Sequence, residues 1–151
     1  MANLLNIIFF RLLNKFGPQH WWPAETVFEV IVGAILTQNT SWKNVEKAIS
    51  NLKAKSLLLP EKLLSLDDIE LALLIKSAGF FNIKAKRLKN FLKYLKKNTY
   101  DFEKIKKIPN LREELLEIKG VGKETADSIL LYAFDKPYFV IDAYTKRIFS
   151  R

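Results

Sequence analysis

Ile118-Lys119-Gly120-Val121-Gly122-Lys123-Glu124-Thr125-Ala126-Asp127 is the stretch that leaves this chain the fewest ways to fold. Ahead of it, Leu111 to Glu117 reads as a helix, with Pro109 near its start and Leu111, Leu115, Leu116 and Ile118 on one side. Behind it, Lys123 to Phe134 reads as a second helix with Ala126, Ile129, Leu130 and Ala133 as its buried stripe. Two glycines two positions apart let the backbone turn sharply and leave bare N–H groups at the surface. Those N–H groups open the second helix, where its dipole also favours an anion. Lys119 and Lys123 flank the turn, so the expected anion is a nucleic-acid phosphate. Residues 109–134 are thus expected to form a helix, a tight hairpin and a helix that grips a DNA backbone.

The rest of the chain is read as helix after helix. Residues 3–16 are apolar on more than one face and stop at Gly17-Pro18, so they require cover on most sides. A polar–aromatic connector, Gln19-His20-Trp21-Trp22-Pro23, leads to a buried helix over 25–39. Trp42 to Lys53 is amphipathic, with Ser41 as its expected cap. Pro60 opens a short helix to Leu64, and Asp67-Asp68-Ile69-Glu70 opens another that runs to Ser77 and stops at Gly79. Asn82 to Lys97 is long and basic, and Asp101 to Lys106 adds a turn or two. Only Tyr138 to Ile141 suggests an extended segment, and no repeat or low-complexity linker occurs. The expected fold class is all-α, with residues 1–151 as one domain.

The 151 residues are 49% hydrophobic, enough for a real core, and carry a net charge of +9 that favours a polyanionic partner. Charge alone would also allow an RNA or an acidic membrane surface. No cysteine is present, which removes disulfides and thiolate metal sites from these residues, and one histidine without a ligand cluster argues against zinc. The apolar run Leu4 to Leu13 lacks a basic n-region and a small-residue cleavage site and is too short to span a bilayer. The expected setting is cytoplasmic, close to the nucleoid.

The hairpin, the helix after it, the Asp135-Lys136-Pro137 loop and Asp142 follow one another as in the endonuclease III-like, helix-hairpin-helix DNA glycosylases, which this chain resembles. Ala34-Ile35-Leu36-Thr37-Gln38-Asn39-Thr40 resembles the helix end that faces DNA in that family, and Gly79-Phe80-Phe81-Asn82-Ile83-Lys84-Ala85-Lys86 resembles the segment that opens its next long helix. The likeness runs from about Pro23 to Arg151. The resemblance implies duplex DNA with a damaged base as partner, a monomer, and no membrane. It also implies that the first helix packs on C-terminal helices, which this sequence does not include. The family's iron–sulfur cluster, where present, uses cysteines near the C-terminus; within residues 1–151 no cofactor or metal is expected. The family's hairpin can also hold a monovalent cation through its carbonyls.

Residue by residue, the resemblance makes Asp142 the catalytic carboxylate. Breaking an N-glycosidic bond builds positive charge on the sugar, which a carboxylate beneath it stabilises. Asp142 also stands where it can cap Ala143 to Phe149, and both roles can hold together. Bifunctional members carry a lysine two residues after the second hairpin glycine, whose amine forms a Schiff base. Here that position is Glu124, which cannot form an imine, so the resemblance implies a monofunctional enzyme. Trp21, Trp22, Pro23 and Trp42 are the expected base pocket: indoles stack on an extruded base and attract a cationic alkylated one. The Trp-Trp-Pro run resembles the bacterial 3-methyladenine DNA glycosylase branch. Gln38 and Asn39 are expected to contact the DNA, with Gln38 filling the gap left by the base. Lys119, Gly120, Gly122, Lys123 and Thr125 are expected to contact the backbone. The lysines between Lys84 and Lys97, with Arg87, are read as a solvated basic face.

The expected function is therefore excision of alkylated purines such as 3-methyladenine. Its rivals are an endonuclease III-type glycosylase/lyase for oxidised pyrimidines and a noncatalytic helix-hairpin-helix DNA-binding module.

Overall fold

A computed structural model describes residues 2–151 of the chain. Ten α-helices follow in order: α1 (Ala2–Phe16), α2 (Val27–Leu36), α3 (Trp42–Ala54), α4 (Pro60–Ser65), α5 (Asp68–Leu74), α6 (Phe81–Lys97), α7 (Phe102–Lys106), α8 (Leu111–Glu117), α9 (Lys123–Ser128) and α10 (Ala143–Phe149). A 3₁₀ turn, Lys76–Ala78, lies between α5 and α6, and a π-helical turn, Ile129–Ala133, continues α9. Among the described residues no strand forms: residues 138–141 are irregular. Among the described residues no helix is long and apolar enough to cross a membrane.

α2 is the hub. Phe28 to Leu36 is buried throughout, and the helix packs on α3, α6, α9 and the π turn. It is shorter than the expected 25–39 because side chains cap both ends. Thr26 Oγ1 accepts from Glu29 N at 3.1 Å, and Thr37 Oγ1 donates to Gly33 O at 2.6 Å. Asn39 then turns at φ +54°. Asp67 and Asp101 cap α5 and α7 as expected, accepting from Glu70 N at 2.7 Å and Lys104 N at 2.9 Å. Ser41 holds the capping position of α3 but makes no capping bond.

The basic face expected on α6 is broken by two buried lysines. Lys84 Nζ donates to Leu36 O at 2.7 Å and Ala78 O at 2.6 Å; Lys89 Nζ donates to Leu64 O at 2.7 Å and to Leu66 O. Both ammonium groups lie at helix ends, where carbonyls without intrahelical partners would otherwise go bare. The sequence pattern read the lysines of this helix mostly as a solvated face; a long stem can instead cross the core to a carbonyl.

Burial pushes the Lys84 ammonium down to about 8 from its ordinary 10.5, and the positive charge of Arg87 adds to the shift. With the folded value below the unfolded one, the unfolded chain binds more protons between them, so stability rises from about pH 8 towards 10.5. The expected gain is on the order of 2–3 kcal/mol. Tyr94 and Tyr132 act in the opposite sense. Their phenols are pushed up mainly by burial, so the unfolded chain ionises first and stability falls above about pH 10. Urea midpoints are expected to climb from pH 7 to 9.5 and then fall, and the climb is expected to vanish in Lys84→Met.

α1 and α10 contribute little to the core. Leu4, Phe9, Phe10 and Phe16 of α1 and Tyr144, Ile148 and Phe149 of α10 are exposed, as are Phe139 and Ile141. Leu5 of α1 lies with Phe139, Ile141 and Phe149 around one apolar cavity.

Candidate functional site: the hairpin and the aromatic wall

The helix–hairpin–helix forms where the glycines place it. Ile118 ends α8, Val121 N donates back to Ile118 O at 2.9 Å, and Ala126 N donates to Gly122 O at 2.8 Å as α9 begins. Gly120 has φ +102°, a conformation L side chains rarely adopt, whereas Gly122 has an ordinary φ of −92° with open space where a Cβ would stand. Only the first glycine is required by the turn itself. Lys119, Lys123 and Glu124 are exposed around it.

Two polar bridges stiffen the unit. Arg112 of α8 meets Asp127 of α9 in a two-pronged pair, Nε to Oδ1 at 2.7 Å and Nη2 to Oδ2 at 3.2 Å. On the other side, Asn90 Nδ2 donates to Lys119 O at 2.9 Å. Arg87 lies flat against Gly120, where any Cβ would overlap its Cγ.

Gln38 does not project towards solvent. Its Nε2 donates to Gly120 O at 3.0 Å and Thr125 Oγ1 at 2.9 Å, while its Oε1 accepts from Arg87. The end of α2 is thereby latched to the hairpin. Thr125 is buried and its hydroxyl is taken by Gln38, so it faces the protein interior and not the hairpin surface. Asn39 is exposed. Phe80, which sequence reasoning did not single out, is 67% exposed and held at φ +45°. A bulky residue in that region costs roughly 1 kcal/mol or more. It stands at the start of α6, about two turns before Arg87. The signal was present in Gly79-Phe80-Phe81, an aromatic pair after a turn glycine, of which the helix can bury only one.

The tryptophans separate as their adjacency required. Trp21 is 71% exposed, whereas Trp22 packs inward. The Trp22 ring lies 5.4 Å from Trp42, edge to face at 74°, and 5.0 Å from Tyr132 at 35°. Gly33 of α2 makes this possible: a Cβ there would stand 3.2 Å from Trp22 and 3.3 Å from Trp42. Trp42 Nε1 donates to Glu46 Oε1 at 3.0 Å, but the buried Trp22 Nε1 has no partner among the described residues. Pro23 is exposed beside them.

Tyr132 was also missed, because the expected straight helix through Phe134 gave it no special position. The π turn changes that: Phe134 N bonds Ile129 O at 3.3 Å, the wider loop adds a residue, and Tyr132 comes to rest on Trp22. Burial and the negative charge of Asp142 both push its phenol up, so it stays protonated beside that carboxylate.

Asp142 does cap α10. Its Oδ1 accepts from Thr145 N at 2.7 Å and Thr145 Oγ1 at 2.8 Å. Oδ2 makes no hydrogen bond among the described residues. The cap fixes the carboxylate's direction and leaves one oxygen available. No cluster of three potential metal-ligating side chains occurs among the described residues.

Comparison with known proteins places this geometry. Residues 32–151 match the model of the HhH-GPD superfamily of base excision DNA repair proteins. A Methanocaldococcus jannaschii protein provisionally named a DNA repair glycosylase is 60% identical over 144 residues, 93% of this chain and 66% of that protein. Endonuclease III of Thermotoga maritima is 32% identical over 82% of this chain and 55% of its own length. The structure superposes on the Helicobacter pylori 3-methyladenine DNA glycosylase, bound to 1,N6-ethenoadenine, with a TM-score of 0.83 at 35% identity, covering 98% of this chain and 71% of that one. An endonuclease III–DNA complex shares the fold, with a TM-score of 0.81 at 21% identity. The chain thus spans from about a third to about two thirds of the length of the curated relatives it matches. With its all-helical fold, its Gly-Val-Gly hairpin and a match over most of its length, the chain belongs to the HhH-GPD superfamily of base excision DNA repair proteins.

Proposed function

We propose that this chain carries the DNA-engaging and catalytic parts of a monofunctional DNA glycosylase that removes alkylated purines such as 3-methyladenine. The observation that carries the reading is the aromatic wall Trp22–Trp42–Tyr132 set beside a carboxylate with one unoccupied oxygen. Electron-rich rings stack on an extruded base and attract a cationic one more than a neutral one. A purine alkylated at a ring nitrogen such as N3 is cationic in the nucleotide, and it leaves as a neutral base when its bond to C1′ breaks, so a strong general acid is not needed. Asp142 Oδ2 stabilises the sugar cation and orients water, which adds hydroxide to C1′ and gives up its proton to Oδ2 and from there to solvent. The relative from Helicobacter pylori supports the lesion class through its name.

Hydrolysis without strand cleavage follows from Glu124. It is exposed at the position where a lyase needs an amine, and Lys123 is about 100° round the helix from it. Lys119, Lys123 and the N–H of Gly122 would hold phosphates. With Gln38 latched to the hairpin, the side chain placed to enter the duplex is Phe80, as an apolar wedge. The exposed apolar side of α1 and α10 is where further helices would close the fold.

The test is release of free base from methylated duplex DNA, with borohydride added in parallel. Release of 3-methyladenine without a trapped protein–DNA adduct is expected. A trapped adduct would replace this reading with a glycosylase/lyase, and tight duplex binding without release would leave a noncatalytic DNA-binding module.

A further inference from the structure

Lys84 stands where two helix ends converge. Leu36 O is the terminal carbonyl of α2 and Ala78 O that of the 3₁₀ turn, and the ammonium, 1% exposed, bonds both. The negative ends of two helix dipoles meet the same buried cation there. Each carbonyl is followed at once by a strained turn. After Leu36 comes the Gln38 turn, with Asn39 at φ +54°; after Ala78 come Gly79 and Phe80, at φ +68° and +45°. Backbone of this kind persists only where surrounding groups over-determine it. The two turns deliver Gln38 to the hairpin and Phe80 to solvent, and Arg87, one turn along α6 from Lys84, takes Gln38 Oε1.

We propose that Lys84 is a positioning residue for damage recognition, yoking the Gln38 turn and the Phe80 turn into one rigid unit. The proposal rests on the reading that this face engages DNA. Fixing both carbonyls from one nitrogen means that Phe80 cannot move relative to the hairpin latch. A wedge that enters at the extruded base is then in register with the hairpin that holds the phosphates. No apolar side chain can replace this link, because both carbonyls would lose their partner.

The molecule supplies its own control. Lys89 is also buried and also bonds two carbonyls, Leu64 O and Leu66 O, but it holds the loop after α4, which carries none of the candidate DNA contacts. A lysine that is merely structural would behave like Lys89.

Lys84→Met and Lys89→Met are compared for amide hydrogen exchange and for binding to a duplex with a tetrahydrofuran abasic site against an undamaged duplex. In Lys84→Met, exchange is expected to rise at residues 38–40 and 79–81 together, and the preference for the abasic duplex to fall ~10-fold. Lys89→Met is expected to leave that preference within about 2-fold of wild type. Exchange that rises at one turn alone, or a preference unchanged in Lys84→Met, overturns the proposal. Should Lys84→Met not fold, Lys84→Gln keeps a neutral NH2 donor on a shorter stem and is read by the same two criteria. A wild-type chain with no preference for the abasic duplex would defeat the functional reading, while the exchange pattern would still decide whether Lys84 couples the turns.

Discussion

Asp142→Asn is expected to lower single-turnover base release by at least about 100-fold while leaving the fold and DNA affinity in place. The reason lies in the division of labour between the two carboxylate oxygens. Oδ1 is committed to the cap through Thr145 N and Oγ1, and an asparagine oxygen can accept both bonds. Asparagine caps helices about as well as aspartate. What the substitution removes is the negative charge at Oδ2, the atom proposed to face the developing sugar cation. Asp142→Ala removes both functions and is expected to loosen α10 as well, by about 1 kcal/mol. The two variants therefore separate chemistry from capping. Rapid quench of excess enzyme on methylated duplex measures the first, and hydrogen exchange at residues 143–146 measures the second. An asparagine variant as fast as wild type would reduce Asp142 to a cap and move the search for the catalytic group to Glu124.

The cap made by Asp142 also shows where sequence reading reaches its limit. The hairpin was legible because glycine spacing is a local constraint: Leu111 to Glu117, the turn and the start of α9 lie where the pattern places them. The cap was legible for the same reason. What the pattern missed depends on contacts between segments distant in sequence. Lys84 and Lys89 look solvated until α2, α4 and the 3₁₀ turn are brought around α6. Gln38 looks like a free helix-end amide until the hairpin arrives to accept from it. Thr125 looks like a phosphate ligand until Gln38 occupies its hydroxyl. Tyr132 was hidden by an assumption of regular helical period, which one π turn breaks. In each case a long or polar side chain found a backbone or ring partner that spacing along the chain does not encode.

The two hairpin glycines carry the second large effect, and they are expected to fail differently. At Gly120, φ +102° and the overlap of a Cβ with Arg87 mean that alanine must distort the turn or expel Arg87. Expelling Arg87 frees Gln38 Oε1 and undoes the latch to α2. Gly120→Ala is expected to cost about 1–3 kcal/mol in stability and to weaken duplex binding with it. At Gly122 the backbone is ordinary, and nothing stands within 4 Å of the added methyl. Gly122→Ala is accordingly expected to stay within about 1 kcal/mol of wild type in stability, because alanine restricts the unfolded chain but is a poorer cap than glycine at the start of α9. If a phosphate rests on the N–H groups that open α9, the new methyl occupies its approach, and duplex affinity is expected to fall ~10-fold despite the unchanged fold. Urea titration and fluorescence anisotropy on one undamaged duplex give both quantities for both variants. Affinity loss that tracks stability in both would mean the hairpin acts only as a brace. Loss at Gly122 without destabilisation requires that the ligand itself comes within contact of the bare backbone.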